Sequence, residues 1–590
     1  MQKRLTARDF DDVGNEASYW LQNAWWMTPA AVFVVTAALT VLMFPPAEMM
    51  AFAYLFAAPL CFWALRRPAF KIYAIVVFGA QAVAWTIILS WLHHVTWAGL
   101  LLLGPFTGAW VGLWYLAVWR AARDYVGRPF VVRIAVMLGL AALWVIIEWT
   151  RTWMLGGFPW LPLGASQCRM IVLLQIASFT GQWGISFVVI MVNFAFAAYV
   201  HRLFFEKHTG LRRRSPEFSV ASFVVVLAMF PFFANVLWER DNPENIEPFA
   251  RFALVQPAIP QEIKWSRENF DLSFTTLRKL SMEAVREAPE IIVWPEAALP
   301  YAVHGWPESE RLRAWMREVA VETKTPLLTG AITQPDKAYH NAAFVVDPDP
   351  ENGGVQPRGY HKRRLVPFGE YVPLRPVLGW LNKVTDASQE DAQAGDSALP
   401  LHVRTPRAVI SAGMLICYED IFPSLALHNV AAGADVLVVV TNNGWFGEGG
   451  AAYQHAAHSV LRAVEMRRPV IRCGNSGWSG WIDEHGYVRM MSRRGDGAPA
   501  RDAKARDAGR AKYSRGVMPA DRDETIYFQG TQTFAVTRDK RWAGQQSFYA
   551  RHGDWFVAVC GVLVLFGHAM SRHYFPHDKT PPVYAETVAG

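Results

Sequence analysis

Three residue types that could do chemistry together stand in three short motifs, two of them at the end of an apolar run. Ala412 to Pro423 reads AGMLICYEDIFP, in which Met414, Leu415 and Ile416 run straight into Cys417, followed by Tyr418, Glu419 and Asp420. That pattern describes a buried strand delivering a thiol to its own mouth, with carboxylates alongside. Free cysteine is also ordinary buried filler, so the thiol gains meaning only from partners. Glu290 to Pro300, EIIVWPEAALP, is a second apolar strand ending on Glu296, with Pro295 and Pro300 fixing the turn. Tyr360 to Pro373, YHKRRLVPFGEYVP, supplies Lys362 and then Glu370. Glutamate, lysine and cysteine thus arrive in order at the ends of separate strands.

The WPE of residues 294–296, the HKRRLVPFGEYVP of 361–373 and the ICYE of 416–419 resemble the Glu-Lys-Cys triad of the nitrilase superfamily. Within it, FGEYVP after the lysine, taken with the membrane segments below, resembles the apolipoprotein N-acyltransferase family, which performs the last step of bacterial lipoprotein maturation. The likeness runs from about Trp25 to Arg572. It implies an α-β-β-α sandwich and a triad of Glu296, Lys362 and Cys417. Glu370 and Glu419 match carboxylates that orient the triad, and Tyr418 and Trp265 match positions implicated in the site, although simple packing explains Trp265 equally well. It also implies the partners: a phospholipid acyl donor and, as acceptor, the α-amino group of a diacylglyceryl-cysteine at an apolipoprotein N-terminus.

The chemistry expected of such a site is ping-pong transfer. Glu296 takes the Cys417 proton, Lys362 with backbone N–H groups meets the oxyanion, and a thioester forms that reacts with an amine if water is kept out. Two other readings share the motifs: a membrane-tethered amidase hydrolysing C–N bonds, and a silent relative acting as a scaffold. The intact triad speaks against the scaffold, and the number of membrane segments speaks against the amidase.

The elements that must position these residues divide in two. The chain is 52% hydrophobic and 18% charged, with 26 tryptophans, more apolar than an ordinary soluble protein. Apolar runs recur at about 29–44, 49–65, 72–92, 97–119, 130–149, 182–200 and 218–238, and an eighth at 555–570. Most approach the ~20 residues that cross a bilayer, the first two being short, and tryptophans mark many ends. The expected fold is therefore a polytopic α-helical membrane domain of about eight spans plus an α/β domain. The expected layout is an N-terminal segment 1–24, a seven-span domain 25–240, a catalytic domain 249–537, an eighth helix 554–572 and a tail 573–590. Residues 1–24 lack a signal-peptide apolar core, so the first run is expected to stay as an anchor.

Arg66, Arg67 and Lys71, then Arg120, Arg123, Arg128 and Arg133, then Arg202, Lys207 and Arg212 to Arg214 fall in alternate loops, while Pro45 to Glu48 and His93 to Thr96 carry no Lys or Arg. By the positive-inside rule both termini are cytoplasmic and the block between the seventh and eighth runs is outside, on the periplasmic face of an inner membrane. The same bias accounts for the formal charge of +7 and argues against nucleic acid. In the fifth-to-sixth loop Glu148 is set against Arg151, and Gly156-Gly157-Phe158-Pro159-Trp160 resembles the same family.

Between residues 249 and 537 strands are expected at 252–256, 291–294, 326–332, 342–346, 409–416, 434–440 and 469–472, with helices at 268–287 and 308–323. A loop is expected at Gly444 to Gly450. Of five cysteines, Cys61 and Cys560 lie in spans, Cys168 in a loop and Cys473 on a strand, which leaves Cys417 as a lone thiol. No metal or nucleotide motif is present, so no cofactor is expected, and the protein is expected to be a monomer. Residues 493–524 read as disordered low complexity. Tyr371 to Asn382, with Leu374, Trp380 and Leu381, reads either as a loop over the core or as an apolar lid entering the outer leaflet.

Overall fold

The computed structural model describes residues 28–123, 125–205, 215–238, 242–373, 375, 391–491, 493–494 and 524–573. The lid stretch around Trp380 and most of the 493–524 segment therefore lie outside the described residues, as do 1–27 and 574–590.

Long runs without charge make the membrane helices: α1 Thr28–Leu42, α2 Ala58–Leu65, α3 Phe70–Ile88, α4 Trp97–Ala122, α5 Phe130–Thr150, α6 Gln182–Phe205 and α7 Pro216–Phe232. Their limits follow local chemistry. Pro129 precedes α5, while Pro216 opens α7 behind Ser215, whose hydroxyl accepts the Phe218 N–H. Six described helices are long and apolar enough to cross a bilayer: α3, α4, α5, α6, α7 extended to Asn235, and a C-terminal helix at Trp555. The first two expected spans are shorter than that. α1 has 15 residues, roughly 22 Å at 1.5 Å per residue, and the second run is a 3-10 turn at Met50–Tyr54 followed by α2. Pro45, Pro46 and Pro59 interrupt these stretches, so about eight spans reduce to six full-length helices and two short ones. Buried Arg133 of α5 pairs with Glu217 at the start of α7, whose carboxylate also accepts from Tyr125 Oη at 2.7 Å.

After α7 the pattern changes from helical runs to short strands interleaved with amphipathic helices. β1 Ile246–Gln256, β2 Ile291–Trp294, β3 Leu327–Thr333, β4 His340–Asp347, β5 Gly354–Val355 and β6 Tyr360–His361 fall in one sheet. β7 Leu401–Arg404, β8 Val409–Ile416, β9 Val436–Thr441, β10 Val470–Gly474, β11 Gly480–Ile482 and β12 Val488–Met490 form the other. β13, Gly530–Asp539, closes the first sheet in the order β13-β1-β2-β3-β4-β5, with β6 on β4, and the second runs β12-β11-β10-β9-β8-β7. The central pairs β1–β2, β2–β3, β8–β9 and β9–β10 are parallel, and their unbroken apolar runs suit strands covered on both faces.

Phe252, Ile291 and Leu328 of one sheet meet Met414, Val438 and Ile471 of the other in a shared core. α8 Phe270–Val285 and α9 Ser309–Thr323 cover the first sheet with Leu277, Leu280, Leu312 and Met316. α10 Pro423–Ala431 and α11 Gly450–Met466 cover the second. Their core does not end at α11. Val460 and Val464 belong to one apolar cluster with Leu163, Trp183 and Ile185 of the membrane domain. The result is an α-β-β-α sandwich whose second helical layer is shared with the span bundle. The final helix, α12 Trp555–His573, returns against α5, where a Cβ on Gly567 would come within 2.7 Å of the Ala135 carbonyl oxygen.

Candidate active site

β8 ends at Ile416 and the chain turns at once, for Cys417 has a φ of +52°. Such a conformation costs a residue with a Cβ on the order of 1–3 kcal/mol and persists only where its surroundings over-determine it. Glu419, fully buried, does much of this. Its carboxylate accepts the Ile416 N–H at 2.7 Å, the Tyr360 hydroxyl at 2.8 Å, and the backbone N–H groups of Arg363 and Arg364 at 2.7 and 3.1 Å. One side chain thereby fastens the segment that carries Lys362 to the turn that carries the thiol. Asp420 holds the other side. It accepts from His455 Nε2 at 2.7 Å, Ser459 Oγ at 2.6 Å and Arg472 Nη1 at 2.6 Å. Burial pushes its carboxyl up, yet His455 and Arg472 outweigh this and hold it well below the usual range.

Lys362, only 1% exposed, enters from the residue after β6. Its Nζ lies 2.9 Å from Glu370 Oε1 and 3.7 Å from Glu296 Oε1. Burial alone would discharge it, but Glu370 and Glu296 outweigh that and keep the ammonium well above the ordinary lysine range. Asn341 Nδ2, at the start of β4, donates to both carboxylates, at 2.8 Å to Glu296 and 3.0 Å to Glu370. Glu370 also accepts the Val366 N–H at 2.8 Å. Glu296 keeps one oxygen back: Oε2 is buried and has no partner among the described residues.

The thiol itself is neutral at rest. Burial pushes Cys417 up to about 12, the Glu296 charge adding to this while Lys362 and a hydrogen bond with Thr441 pull the other way. Thr441 reaches the sulfur because β8 and β9 pair with Ile416 opposite Val440, which sets the next residues side by side. A buried thiol this hard to ionise needs a base beside it that can take its proton, and the unpartnered oxygen of Glu296 is such a group.

The structure thus brings Glu296, Lys362, Cys417, Glu370 and Glu419 into one connected cluster. Tyr418 points elsewhere, its hydroxyl donating to Gly157 O at 2.8 Å in the loop after α5. Trp265 follows the short helix Gln261–Lys264 and is 39% exposed, its ring centroid 5.9 Å from Lys264 Nζ. Glu148 and Arg151 are not the simple pair their spacing suggested. Glu148 accepts from Leu163 N–H at 2.6 Å and Ser186 Oγ at 2.6 Å, while Arg151 binds the Phe158 and Trp160 carbonyls. Together they shape the GGFPW loop against the catalytic domain. Asn341 and Thr441 were not singled out from sequence. Their only signal is a polar residue at the start or end of an otherwise apolar strand.

Residues 251–507 match the carbon-nitrogen hydrolase family, so a sandwich with a strained thiol, a carboxylate and a buried lysine makes this a carbon-nitrogen-hydrolase-type protein built onto a membrane bundle. The bundle has its own likeness, since residues 36–195 match the apolipoprotein N-acyltransferase N-terminal domain. Over 474 residues the chain is 32% identical to the apolipoprotein N-acyltransferase of Geobacter metallireducens, covering 79% of this chain and 80% of that one. The enzymes of that name from Chlorobaculum tepidum and Rickettsia prowazekii are 32% and 31% identical over 366 and 399 residues, which is 58% and 67% of this chain and 66% and 72% of theirs. Among solved structures, an amidase from Nesterenkonia sp. AN1 aligns with 52% of this chain and 100% of its own at 16% identity, with a TM-score of 0.34. The chain belongs to the apolipoprotein N-acyltransferase family.

Proposed function

We propose that the protein moves an acyl chain from a phospholipid, through a thioester on Cys417, to the α-amino group of the diacylglyceryl-cysteine of apolipoproteins. The observation that carries this reading is a strained, neutral thiol under the influence of the Glu296 carboxylate, whose Oε2 has no partner among the described residues, in a sandwich whose second helical layer is continuous with the membrane helices. Family membership supplies the substrates, and the geometry supports the steps.

In the first half, Glu296 Oε2 takes the Cys417 proton as sulfur bonds to the ester carbonyl carbon. The oxyanion forms where Lys362 Nζ, aimed by Glu370 and Asn341, can donate to it; losing such a donor costs about 10² to 10³ in rate. The ester C–O bond breaks and the departing alkoxide recovers the proton from Glu296, which leaves a lysophospholipid and the thioester. In the second half the acceptor amine attacks the same carbon and gives its proton to Glu296. The C–S bond breaks, the amide departs, and the thiolate is reprotonated. No metal is required by any step. Burial of Cys417, Lys362, Glu296 and Glu419 keeps water from the thioester, and fusion to the span bundle brings the thiol within reach of two membrane-bound substrates.

Basic loops alternating with uncharged ones favour a bacterial inner-membrane protein with the sandwich on the periplasmic side. Nothing in the cluster calls for a second copy, so a monomer suffices. Tyr418 serves this reading by tying the thiol turn to the membrane loop, and Trp265 by covering the Lys264 side of the site. Mass spectrometry of a lipoprotein N-terminus, after incubation with purified protein and phospholipid, tests it. Gain of one acyl mass on the α-amine with matching lysophospholipid is expected. Free fatty acid without an acylated peptide, or turnover of small amides instead, would overturn it in favour of a hydrolase.

A further inference from the structure

Next to the site lies a second buried lysine that the steps above do not use. Lys264 ends the short helix Gln261–Lys264 and is 1% exposed. Its ammonium makes one hydrogen bond among the described residues, a long one of 3.4 Å to the backbone carbonyl of Glu296, and it lies near the Trp265 ring. An ammonium taken out of water at such a place is expensive unless opposite charge compensates it, typically by several kcal/mol. The compensating group is the Glu296 carboxylate, which is the charged side chain acting on it. The ionisable groups gathered here are Glu296, Glu370, Lys362, Lys264, Cys417 and Tyr339. With thiol and phenol neutral, two carboxylates face one cation if Lys264 is left out, and two if it is counted.

We propose that Lys264 is a positioning residue of the acylation step, the second cation of the site, which balances the Glu296–Glu370 pair and pins the Glu296 backbone so that its free oxygen can accept the thiol proton. The inference rests on the reading of Glu296 as the base. Burial lowers the Lys264 ammonium to about 8 despite the pull of Glu296, so at neutral pH the charge is present. No atom is transferred to or from Lys264; the proton passes from Cys417 Sγ to Glu296 Oε2 as before.

Removing a cation from beside two carboxylates favours proton uptake by the pair, so the acid limb of the rate profile moves to higher pH. The test is single-turnover labelling of Cys417 by a phospholipid with a tagged acyl chain, followed from pH 5.5 to 8.5 in the full-length protein. Lys264→Met is expected to slow labelling about tenfold at pH 6 and to recover most of that deficit by pH 8. Lys264→Arg, which keeps a cation, is expected to restore the wild-type acid limb. A deficit in Lys264→Met that is the same at every pH, or an acid limb that stays in place, would overturn the proposal, because a merely structural loss lowers the rate uniformly. Glu296→Gln separates the two claims. If it forms the acyl-enzyme at close to the wild-type rate, the base assignment fails; if its rate collapses and the Lys264 profiles are unmoved, only the Lys264 inference fails.

Discussion

The two helical layers of the sandwich occupy equivalent positions and meet opposite surroundings. α8 and α9 bury one stripe each and give the other to solvent, where Arg278 pairs with Glu318 and Glu322. α11 carries Gln454, His455, His458, Ser459, Arg462 and Glu465, a composition that on α8 would be a wet face, yet every residue from Ala451 to Met466 is buried. Its polar groups are spent on the membrane domain and the thiol turn. Gln454 donates to the Pro45 and Ile88 carbonyls at 3.1 and 2.9 Å, and accepts from the indoles of Trp91 and Trp160 at 3.0 and 2.9 Å. Glu465 accepts the Gln182 N–H at 2.8 Å, while His455 faces Asp420 and the Cys417 carbonyl. The difference teaches that the membrane domain is part of what holds the thiol in its strained turn, rather than a tether for a self-sufficient domain.

If that holds, substitutions should hurt in the order thiol cluster, inner layer, outer layer. Glu296→Gln sits at the top, with acylation of Cys417 expected to fall about 10³ or more, since general-base catalysis is worth about 10² to 10⁴. Its residual chemistry should be that of an unassisted thiol which burial alone still pushes up, without the Glu296 charge that adds to the rise. A thiol raised this far is neutral through the physiological range, so alkylation by a small water-soluble reagent should climb roughly tenfold per pH unit between pH 7 and 9. A plateau near neutrality in this variant would mean that another group ionises Cys417. Lys362→Arg comes next. It keeps the charge but sets a planar fork where Glu370 and Glu296 hold a compact ammonium, and acylation should fall about 10². Near wild-type rates would remove Lys362 from the oxyanion.

Gln454→Leu probes the inner layer. It strands two buried indole N–H groups and two carbonyls, each worth about 1 kcal/mol or more when left unpaired, so the thermal midpoint in detergent should drop clearly and acylation about tenfold. Unchanged acylation in a destabilised protein would show that the bundle supports the fold without supporting the thiol. Arg278→Ala, on the outer layer, is expected to change stability by roughly 0.5 kcal/mol or less and acylation not at all, as exposed ion pairs usually do. A large effect there would erase the contrast between the layers.

How much of this could be read from the sequence follows the same divide. Glu296, Lys362 and Cys417, which the fold brings together, were legible because each sits in a motif of several residues and two of them, Glu296 and Cys417, follow an apolar strand; strands 291–294 and 409–416 were read to the residue. α11 was not legible. A helix is normally recognised by one apolar stripe against a polar face, and here the polar face is buried against partners far away in the chain, which local patterning cannot supply. β13 escaped for a related reason, as its strand partner among the described residues, β1, lies far upstream. Asn341, Thr441 and Lys264 are single polar residues whose importance comes from what folding sets beside them. Trp380 falls outside the described residues, and the first two spans were limited by the prolines that shorten them.

Mapping the acyl group tests the central claim most directly. After incubation with a phospholipid bearing a tagged acyl chain and no acceptor, the protein should carry one hydroxylamine-labile label, on the peptide that contains Cys417, and Cys417→Ala should carry none. Label on Cys473 or Cys168, or acyl transfer that persists in Cys417→Ala, would contradict the account.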